Sequence, residues 1–413
     1  MRYVSGPYTS RQLFDNVTEI EQWITKECLK FENLVVTDDA FVREASRRLM
    51  DISEGRNDFV LDANGIPGVY VLFMPNSDGY MKNLTKEGTI CAYDDTWYPY
   101  HLVFIVGGQI VSEYWTGKYQ CGRINGTNYG CSLYGLDPAH SGNYDHFKSL
   151  CDAGGNGFHL MTATAGAFLG LMVLRDEFEP SGNDYYGKCY AYTSERGATS
   201  YIYTDSNRAY PWRHKCGTGP VTWRLGGSPY GVADLRGNVW EWQAGYRTVD
   251  GELQFIPDNN AADSSVDTGS SSTAWKAMLE DGSFVDPGTE GTYKWDYKAA
   301  NPPSGTYNAF ELATSIVNPA ANGDPYGCMV TADIRARDGV SIHNKLVWLG
   351  VMPGTRCPSG RTWMRSQGTG ERLLFWGGSI TNTSVAGFGA RSGNDVRTDT
   401  CDCIGGRRAF YKR

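Results

Sequence analysis

The sequence of 413 residues lacks a long apolar run and an excess of basic residues. A membrane-spanning helix needs about 20 consecutive apolar residues, whereas an apolar run such as 102–106 has only the length of a strand. Lys and Arg number 38 and Asp and Glu number 46, so the formal net charge is −8. A chain of this charge has no broad basic face for nucleic acid. No apolar segment follows Met1, and we expect no secretory signal, no membrane insertion and no nucleic-acid partner.

Common metal-binding motifs are missing as well. The chain has 11 cysteines but no Cys-x-x-Cys pair, which argues against a zinc ribbon. Its six histidines never stand four residues apart, which excludes the His-x-x-x-His arrangement of a metal-binding helix. Because the cysteine count is odd, at least one thiol has no partner within a monomer.

Glycine and aromatic residues are abundant instead. The chain has 50 Gly, 26 Tyr, 16 Phe and 12 Trp, and its glycine content is about 12%, against a usual 7% or so. This composition excludes a disordered chain and a helical bundle. It predicts tight turns, irregular loops and aromatic contact surfaces, and the length suits two or three domains.

The hydrophobic pattern changes near residue 95. Two amphipathic helices are predicted over 9–53 and a buried strand over 69–74, which together indicate a small α+β domain over 1–95. Further along, the predicted elements are two hairpin strands and two helices, at 102–106, 110–115, 143–153 and 162–175. The remainder is rich in glycine, with short strands and long loops, and we predict a second domain over 96–413.

The most specific motif is YGVADLRGNVWEW, at 230–242. A glycine turn precedes a strand in which Val239, Trp240 and Trp242 surround Glu241. One interpretation is purely structural, with both indoles buried and the carboxylate fixing a neighbouring loop.

This motif also resembles the signature of the formylglycine-generating enzyme family, or sulfatase-modifying factors, whose fold is a variant of the C-type lectin fold. Four more segments resemble strands of that family: WTGKYQ, GFHLMT, FWGGS and IGGR, at 115–120, 157–162, 375–379 and 404–407. The resemblance covers about residues 100–413. It implies an α+β, C-type lectin-like fold of the formylglycine-generating-enzyme variant, with irregular loops and insertions.

The enzymes of that family bind copper through a cysteine pair near their last strands. Cys401 and Cys403 lie in the corresponding part of the chain, and their spacing places them on one face of a strand. Two thiolates suit copper(I), but the surrounding motif does not match. We therefore predict that the protein is not an enzyme and keep a copper oxidase of this type as an alternative.

The chain resembles more sharply the variable proteins of diversity-generating retroelements, of the gut-phage type. These are binding proteins with a C-type lectin fold, whose last strands and loops are mutagenised at template adenines. The shared segments are KYQ, FHLMT, GPVTWR, DGELQFIPDNNAA and GTYKWD, at 118–120, 158–162, 219–224, 250–262 and 291–296. The variable segment of such proteins corresponds here to residues 376–407.

The genetic code offers an independent test of this resemblance. When both adenines of an asparagine codon are randomised, the new codons end in a pyrimidine and never encode Lys, Glu, Gln, Met or Trp. These five types make up 59 of the 413 residues, yet none occurs between 380 and 403. An ordinary polar loop is the alternative interpretation of that segment.

The resemblance implies that a fixed framework presents variable side chains to a ligand. Trp376 and Phe388 would be aromatic anchors at the rim. The residues expected to face the ligand, the two cysteines among them as free thiols, are Ile380, Thr381, Asn382, Thr383, Val385, Ser392, Asn394, Asp395, Asp399, Cys401 and Cys403. Framework positions would be Ala386, Ala390, Arg397, Ile404 and Arg407. Arg397 and Arg407 are alternatively interior ion-pair partners.

The sulfatase-modifying relatives bind calcium at the loop of the tryptophan motif. The matching positions are Arg236, Gly237, Val239 and Glu241, and oxygen-only ligation suits calcium. Glu241 alternatively caps neighbouring amides. We expect no required cofactor, and calcium at this site would have a structural role.

These resemblances imply a phage-encoded, virion-associated protein that recognises a protein or a glycan on a host surface. The role of residues 1–95 would be attachment or assembly, and the protein would be a monomer or a trimer. A lectin of fixed specificity is a further alternative, although the usual Glu-Pro-Asn and Gln-Pro-Asp sugar motifs are absent.

Overall fold

A computed structural model describes residues 10–75, 93, 100–155, 157–298, 308–318, 326–354 and 359–413. The expectation about a secretory signal concerns residues outside this set. Within the described residues, no helix is both long and apolar enough to cross a bilayer.

Three of the described helices begin at a residue whose side chain caps the first turn. Asp38, Asn143 and Thr162 each accept a hydrogen bond from a backbone amide in the first turn of the helix that follows, which satisfies a donor that the helix leaves unpaired. The helices are α1 (Ser10–Cys28), α2 (Asp39–Ser53), α3 (Tyr144–Asp152), α4 (Ala163–Asp176) and the short α5 (Lys345–Trp348). The four helices predicted from the pattern are confirmed.

The strands are short and numerous. In chain order they are β1 (Asn57–Leu61), β2 (Pro67–Phe73), β3 (Ile105–Val106), β4 (Gln109–Ile110), β5 (Glu113–Gly117), β6 (Gly122–Ile124), β7 (Thr127–Tyr129), β8 (Asp137–Pro138), β9 (His159–Leu160), β10 (Ile202–Asp205), β11 (Arg208–Pro211), β12 (Trp240–Val249), β13 (Glu252–Phe255), β14 (Lys276–Met278), β15 (Phe284–Val285), β16 (Lys294–Tyr297), β17 (Phe310–Ala313), β18 (Tyr326–Val330), β19 (Arg361–Arg365), β20 (Glu371–Gly377), β21 (Gly387–Asp395), β22 (Ile404–Gly405) and β23 (Arg408–Lys412).

Two of the predicted strands differ from the structure. Residues 102–104 form a 3-10 turn, and only Ile105 and Val106 pair with β4 across a glycine turn. The predicted partner strand at 110–115 is divided, because Val111 is buried in the core and β5 starts at Glu113 to pair with other strands.

One sheet crosses the predicted domain boundary near residue 95. Its order is β1-β2-β5-β23-β9, with antiparallel pairing throughout. Phe73 of β2 lies opposite Tyr114 of β5, and Phe410 of β23 lies opposite Trp115. Strands from both predicted domains therefore pair with one another, while the role assigned to residues 1–95 stays a prediction.

The larger sheet follows the order β15-β14-β13-β12-β20-β21-β19-β18, and β22 pairs with β12. The main apolar cluster includes residues of α4, β12, β20 and β21. The described residues thus have an α+β fold, in which β5 pairs with the last strand. The long β12 of the tryptophan motif is the strand that positions the candidate site.

Candidate binding site

Both ends of the variable segment, residues 376–407, are paired to β12. Trp376 of β20 lies antiparallel opposite Glu241, and Gly405 of β22 lies parallel opposite the same residue. The amide of Trp240 also donates to the carbonyl of Cys403 at 2.8 Å. The segment therefore leaves the framework and returns to it at one register of one strand.

A buried ion pair fixes this register. Arg407 donates through Nη2 to Oε1 of Glu241 at 2.7 Å and through Nε to Oε2 at 2.9 Å. The side chains are 0% and 4% exposed. Arg407 also donates to the carbonyls of Gly117 and Ala233, at 3.0 and 2.9 Å. Arg407 is thus an interior ion-pair partner, the second of the two interpretations of this residue.

Two of the four predicted calcium ligands, Val239 and Glu241, already accept hydrogen bonds from other side chains. Both carboxylate oxygens of Glu241 accept from Arg407, and Oε1 accepts in addition from Nε2 of Gln120 at 3.0 Å. The carbonyl of Val239 accepts from the same amide at 3.2 Å. A guanidinium on the carboxylate neutralises the charge that would attract a cation. Glu241 thus serves as the counter-ion of Arg407, and the predicted calcium site at Arg236, Gly237, Val239 and Glu241 loses its one carboxylate ligand.

The two indoles of the motif are buried, as the structural interpretation predicts. Trp242 is fully buried and donates through Nε1 to the carbonyl of Gly142 at 3.2 Å. Its ring packs edge-on against Phe375 of β20, with 4.3 Å between centroids. The motif therefore serves the framework beneath the variable segment.

Four residues expected to face a ligand are buried instead. Trp376 is 4% exposed, donates through Nε1 to the carbonyl of Phe388 at 2.8 Å and packs against that ring. Ile380, Phe388 and Ser392 are also buried. Apolar side chains on β20, β21 and the start of the loop gain more from the core than from water. We correct the prediction for these four residues, which belong to the framework.

The first loop of the variable segment, 378–386, is exposed at its tip. Gly377 and Gly378 adopt φ of 95° and 85°, values that L side chains rarely adopt. Asn382 Oδ1 then accepts from the amide of Ser379 at 2.7 Å and closes the turn. Thr381 and Ser384 are exposed, and Asn382, Thr383 and Val385 are half-buried.

The second loop, 396–403, is tied down at its start. Arg397 donates two hydrogen bonds to Glu371, at 2.9 and 2.8 Å, and one to Asp145 at 2.8 Å. Asp399 accepts from the amide of Val396 at 2.8 Å. Arg397 is thus an ion-pair partner at the edge of the framework, while Asp399 stays half-buried on the loop.

The polar end of β21 leads into this loop. Asn394 Oδ1 accepts from Arg365 at 2.5 Å, and Asp395 accepts from the hydroxyl of Ser392 at 2.9 Å. Burial raises the pKa of Asp395 above its ordinary value. Both side chains are half-buried, so each is accessible to a ligand over part of its surface.

Cys401 and Cys403 form a disulfide with each other. The expectation of two free thiols is therefore wrong, because the i, i+2 spacing brings the sulfurs within bonding distance on one face. Both residues are half-buried. A disulfide offers no thiolate pair to copper, which removes the donor set that the oxidase alternative requires.

Several exposed residues of the two loops were not predicted. Ser384, Thr398 and Thr400 are exposed beside the predicted positions. Their signal in the sequence is the same as that of their neighbours, since all three are small polar residues inside the segment without Lys, Glu, Gln, Met or Trp.

No protein-family model and no curated protein matches the chain. Solved structures of two Major Tropism Determinant variants match it at a TM-score of 0.30. The I1 variant is 13% identical over 72% of this chain and 50% of its own, and the P3c variant is 12% identical over 74% and 51%. The chain spans about half the length of these structures.

Proposed function

We propose that the protein is a receptor-binding protein whose variable segment is diversified by a retroelement, and that it serves a phage in recognition of the host surface. The observation that carries the proposal is the composition of 380–403, which lacks all five residue types that mutagenised asparagine codons cannot encode. The ordered motifs shared with variable proteins of retroelements support it as well.

The geometry of the segment agrees with this role. Its buried members pack on β20 and β21, while its half-buried and exposed members lie on two loops whose ends are held on β12. Side chains on such loops tolerate replacement because they contribute little to the core. A binding surface can therefore change while the framework stays constant.

The copper-oxidase alternative loses its support, because Cys401 and Cys403 are joined in a disulfide. No observation favours a lectin of fixed specificity either, and we do not propose it. The partner proposed here is a protein on the host surface, and a carbohydrate partner would be an outcome of the display selection in the next subsection.

The neighbouring DNA tests the proposal. A near-copy of the codons for 380–403, differing from them at adenine positions only, should lie close to the gene together with a reverse-transcriptase gene. The codons for the tyrosine-rich segment 184–213 supply the matched control and should have no such copy. A locus with neither the repeat nor the reverse transcriptase would overturn the proposal.

A further inference from the structure

A tyrosine-rich surface outside the variable segment exposes large rings to solvent. Residues 184–213 hold seven of the 26 tyrosines of the chain, and we name them the tyrosine surface. Tyr192, Tyr190, Tyr201 and Tyr203 are 62%, 48%, 43% and 41% exposed, and Ile202 is 56% exposed. Contiguous exposed apolar area of this kind marks interaction sites on soluble proteins.

The rings are arranged on a hairpin that stands apart from the two large sheets. Strands β10 and β11 form a two-stranded sheet of their own, and Tyr203 lies opposite Tyr210. Tyr203 contacts Trp212 at 5.0 Å between centroids, and Tyr186 contacts Tyr210 at 5.2 Å and Trp212 at 5.7 Å. These rings pack against one another on one side. On the hairpin, Tyr201 and Tyr203 also remain exposed to solvent.

Both loops of the variable segment contact this surface. The amide of Thr383 donates to the carbonyl of Asp184 at 2.8 Å, and the amide of Tyr186 donates to the carbonyl of Ile380 at 3.0 Å. At the other end, Arg213 donates to the backbone carbonyl and the carboxylate of Asp402, at 3.0 and 3.2 Å. Both loops therefore adjoin the segment that carries the exposed tyrosines.

The chemistry of the surface indicates a protein partner. All residues from 201 to 209 are exposed, and an open surface suits a broad protein contact rather than an enclosed small-molecule site. Tyrosine with Ser, Gly and Asn is the composition of antibody paratopes, since its rigid ring gives contact area at a low entropy cost.

The exposed charges on and beside the tyrosine surface favour an acidic partner. Arg196 and Arg208 are exposed on this surface and Lys215 beside it, against Asp205 on the surface and Asp402 beside it, whose side chain is 42% exposed. The chain as a whole carries −8. An excess of cations on this one surface steers acidic partners toward it.

We propose that the tyrosine surface is the constant half of the binding site, and that it contacts the acidic surface of a folded protein whichever side chains the variable loops carry. This inference rests on the proposed function. On this inference, the tyrosines, which the retroelement does not change, supply affinity for acidic protein surfaces in general. The variable loops determine which of these proteins is bound.

A display library of the full chain tests the inference. Pyrimidine-ending codons are randomised at exposed and half-buried loop positions, and the library is selected separately on ovalbumin as an acidic protein, lysozyme as a basic protein and dextran as a polysaccharide. The randomised positions are Thr381, Thr383, Val385, Asn394 and Asp399. We expect binders on ovalbumin in excess of those on the other two probes.

The selected ovalbumin binders are then tested with tyrosine variants. Tyr192→Ser and Tyr203→Ala should each weaken binding on the order of 10-fold or more, and Tyr203→Phe should restore most of it. Ile110→Ala on β4, an exposed apolar residue outside the tyrosine surface, is the matched control and should change binding less than about two-fold. Retained expression and protease resistance show that each variant is folded.

Two results overturn the inference in ways that can be told apart. Ovalbumin binders that keep their affinity in the folded tyrosine variants would leave the loops as a binding site and dismiss the tyrosine surface. Equal recovery on dextran would replace the protein partner by a carbohydrate. A folded library that yields no binder to any probe would contradict the proposed function itself.

Discussion

The ion pair between Glu241 and Arg407 is expected to be the most sensitive point of the framework. Glu241→Gln preserves the shape of the side chain and removes its charge. The guanidinium of Arg407 would then stay buried without its hydrogen-bonded carboxylate, although the carbonyls of Gly117 and Ala233 still accept from it and the charge of Asp234 still attracts it.

The magnitude follows from the geometry. Two unit charges about 4 Å apart attract each other by about 4 kcal/mol at an effective dielectric constant near 20. Breaking a buried pair from one side costs about 3–5 kcal/mol. Because backbone acceptors remain around Arg407, we expect the lower end, a loss of about 3 kcal/mol in the free energy of unfolding.

Urea unfolding followed by tryptophan fluorescence measures this loss. The pair Glu241→Gln and Arg407→Met should cost clearly less together than the sum of the two single variants, because the double variant leaves neither charge of this pair buried without the other. A single-variant loss below about 1 kcal/mol, or strict additivity in the cycle, would refute the account of this ion pair.

Three further predictions concern the same framework. Trp242→Ala should lower the free energy of unfolding by about 3–5 kcal/mol, since the indole is fully buried, and chemical denaturation measures it; a loss under 1 kcal/mol would contradict the packing. Burial raises the pKa of Glu371, but Arg397 and Arg247 outweigh it and hold the pKa below its ordinary value. The stability from this carboxylate is therefore present above about pH 4.3 and is lost as the pH falls through the lower folded value, so Glu371→Gln should flatten that acid loss in pH-dependent unfolding. An ion that binds only the folded state raises the melting temperature. Because Glu241 is already paired with Arg407, addition of calcium or of EDTA should shift the melting temperature by less than about 1 °C, and a rise of several degrees with calcium would restore the predicted calcium site.

Local features of the fold were predictable from the sequence. The apolar periodicity of 9–53 and the capping residues Asn143 and Thr162 are properties of a few neighbouring residues, and the corresponding helices are found. Pairing between distant strands leaves no such local signal. Phe73 meets Tyr114 across the predicted boundary, and no pattern within 69–74 indicates that partner.

The position of the site in the chain was predictable, but the prediction of which side chains face a ligand was wrong for several residues. The resemblance identified the segment and the composition of 380–403 agreed with it, but the resemblance assigned side chains to the ligand without regard to hydrophobicity. Ile380 and Phe388 are buried because apolar side chains on or beside a core strand turn inward. Glu241 and Arg407 are 166 residues apart, so only the fold shows that Arg407 lies where the calcium site was expected.

The central claim is that one segment contains a fixed framework and a replaceable surface, and a matched pair of libraries tests it. One library randomises loop positions, and the other randomises framework positions of the same segment. The loop positions are Thr381, Thr383, Val385, Asn394 and Asp399, and the framework positions are Trp376, Ile380, Phe388 and Ser392.

The measurement is the fraction of displayed full-length variants that resist protease in each library. The account predicts that most loop variants stay folded and that most framework variants do not, because only the latter empty or overfill the core. Equal fractions in the two libraries, or a loop library that is mostly unfolded, would contradict it.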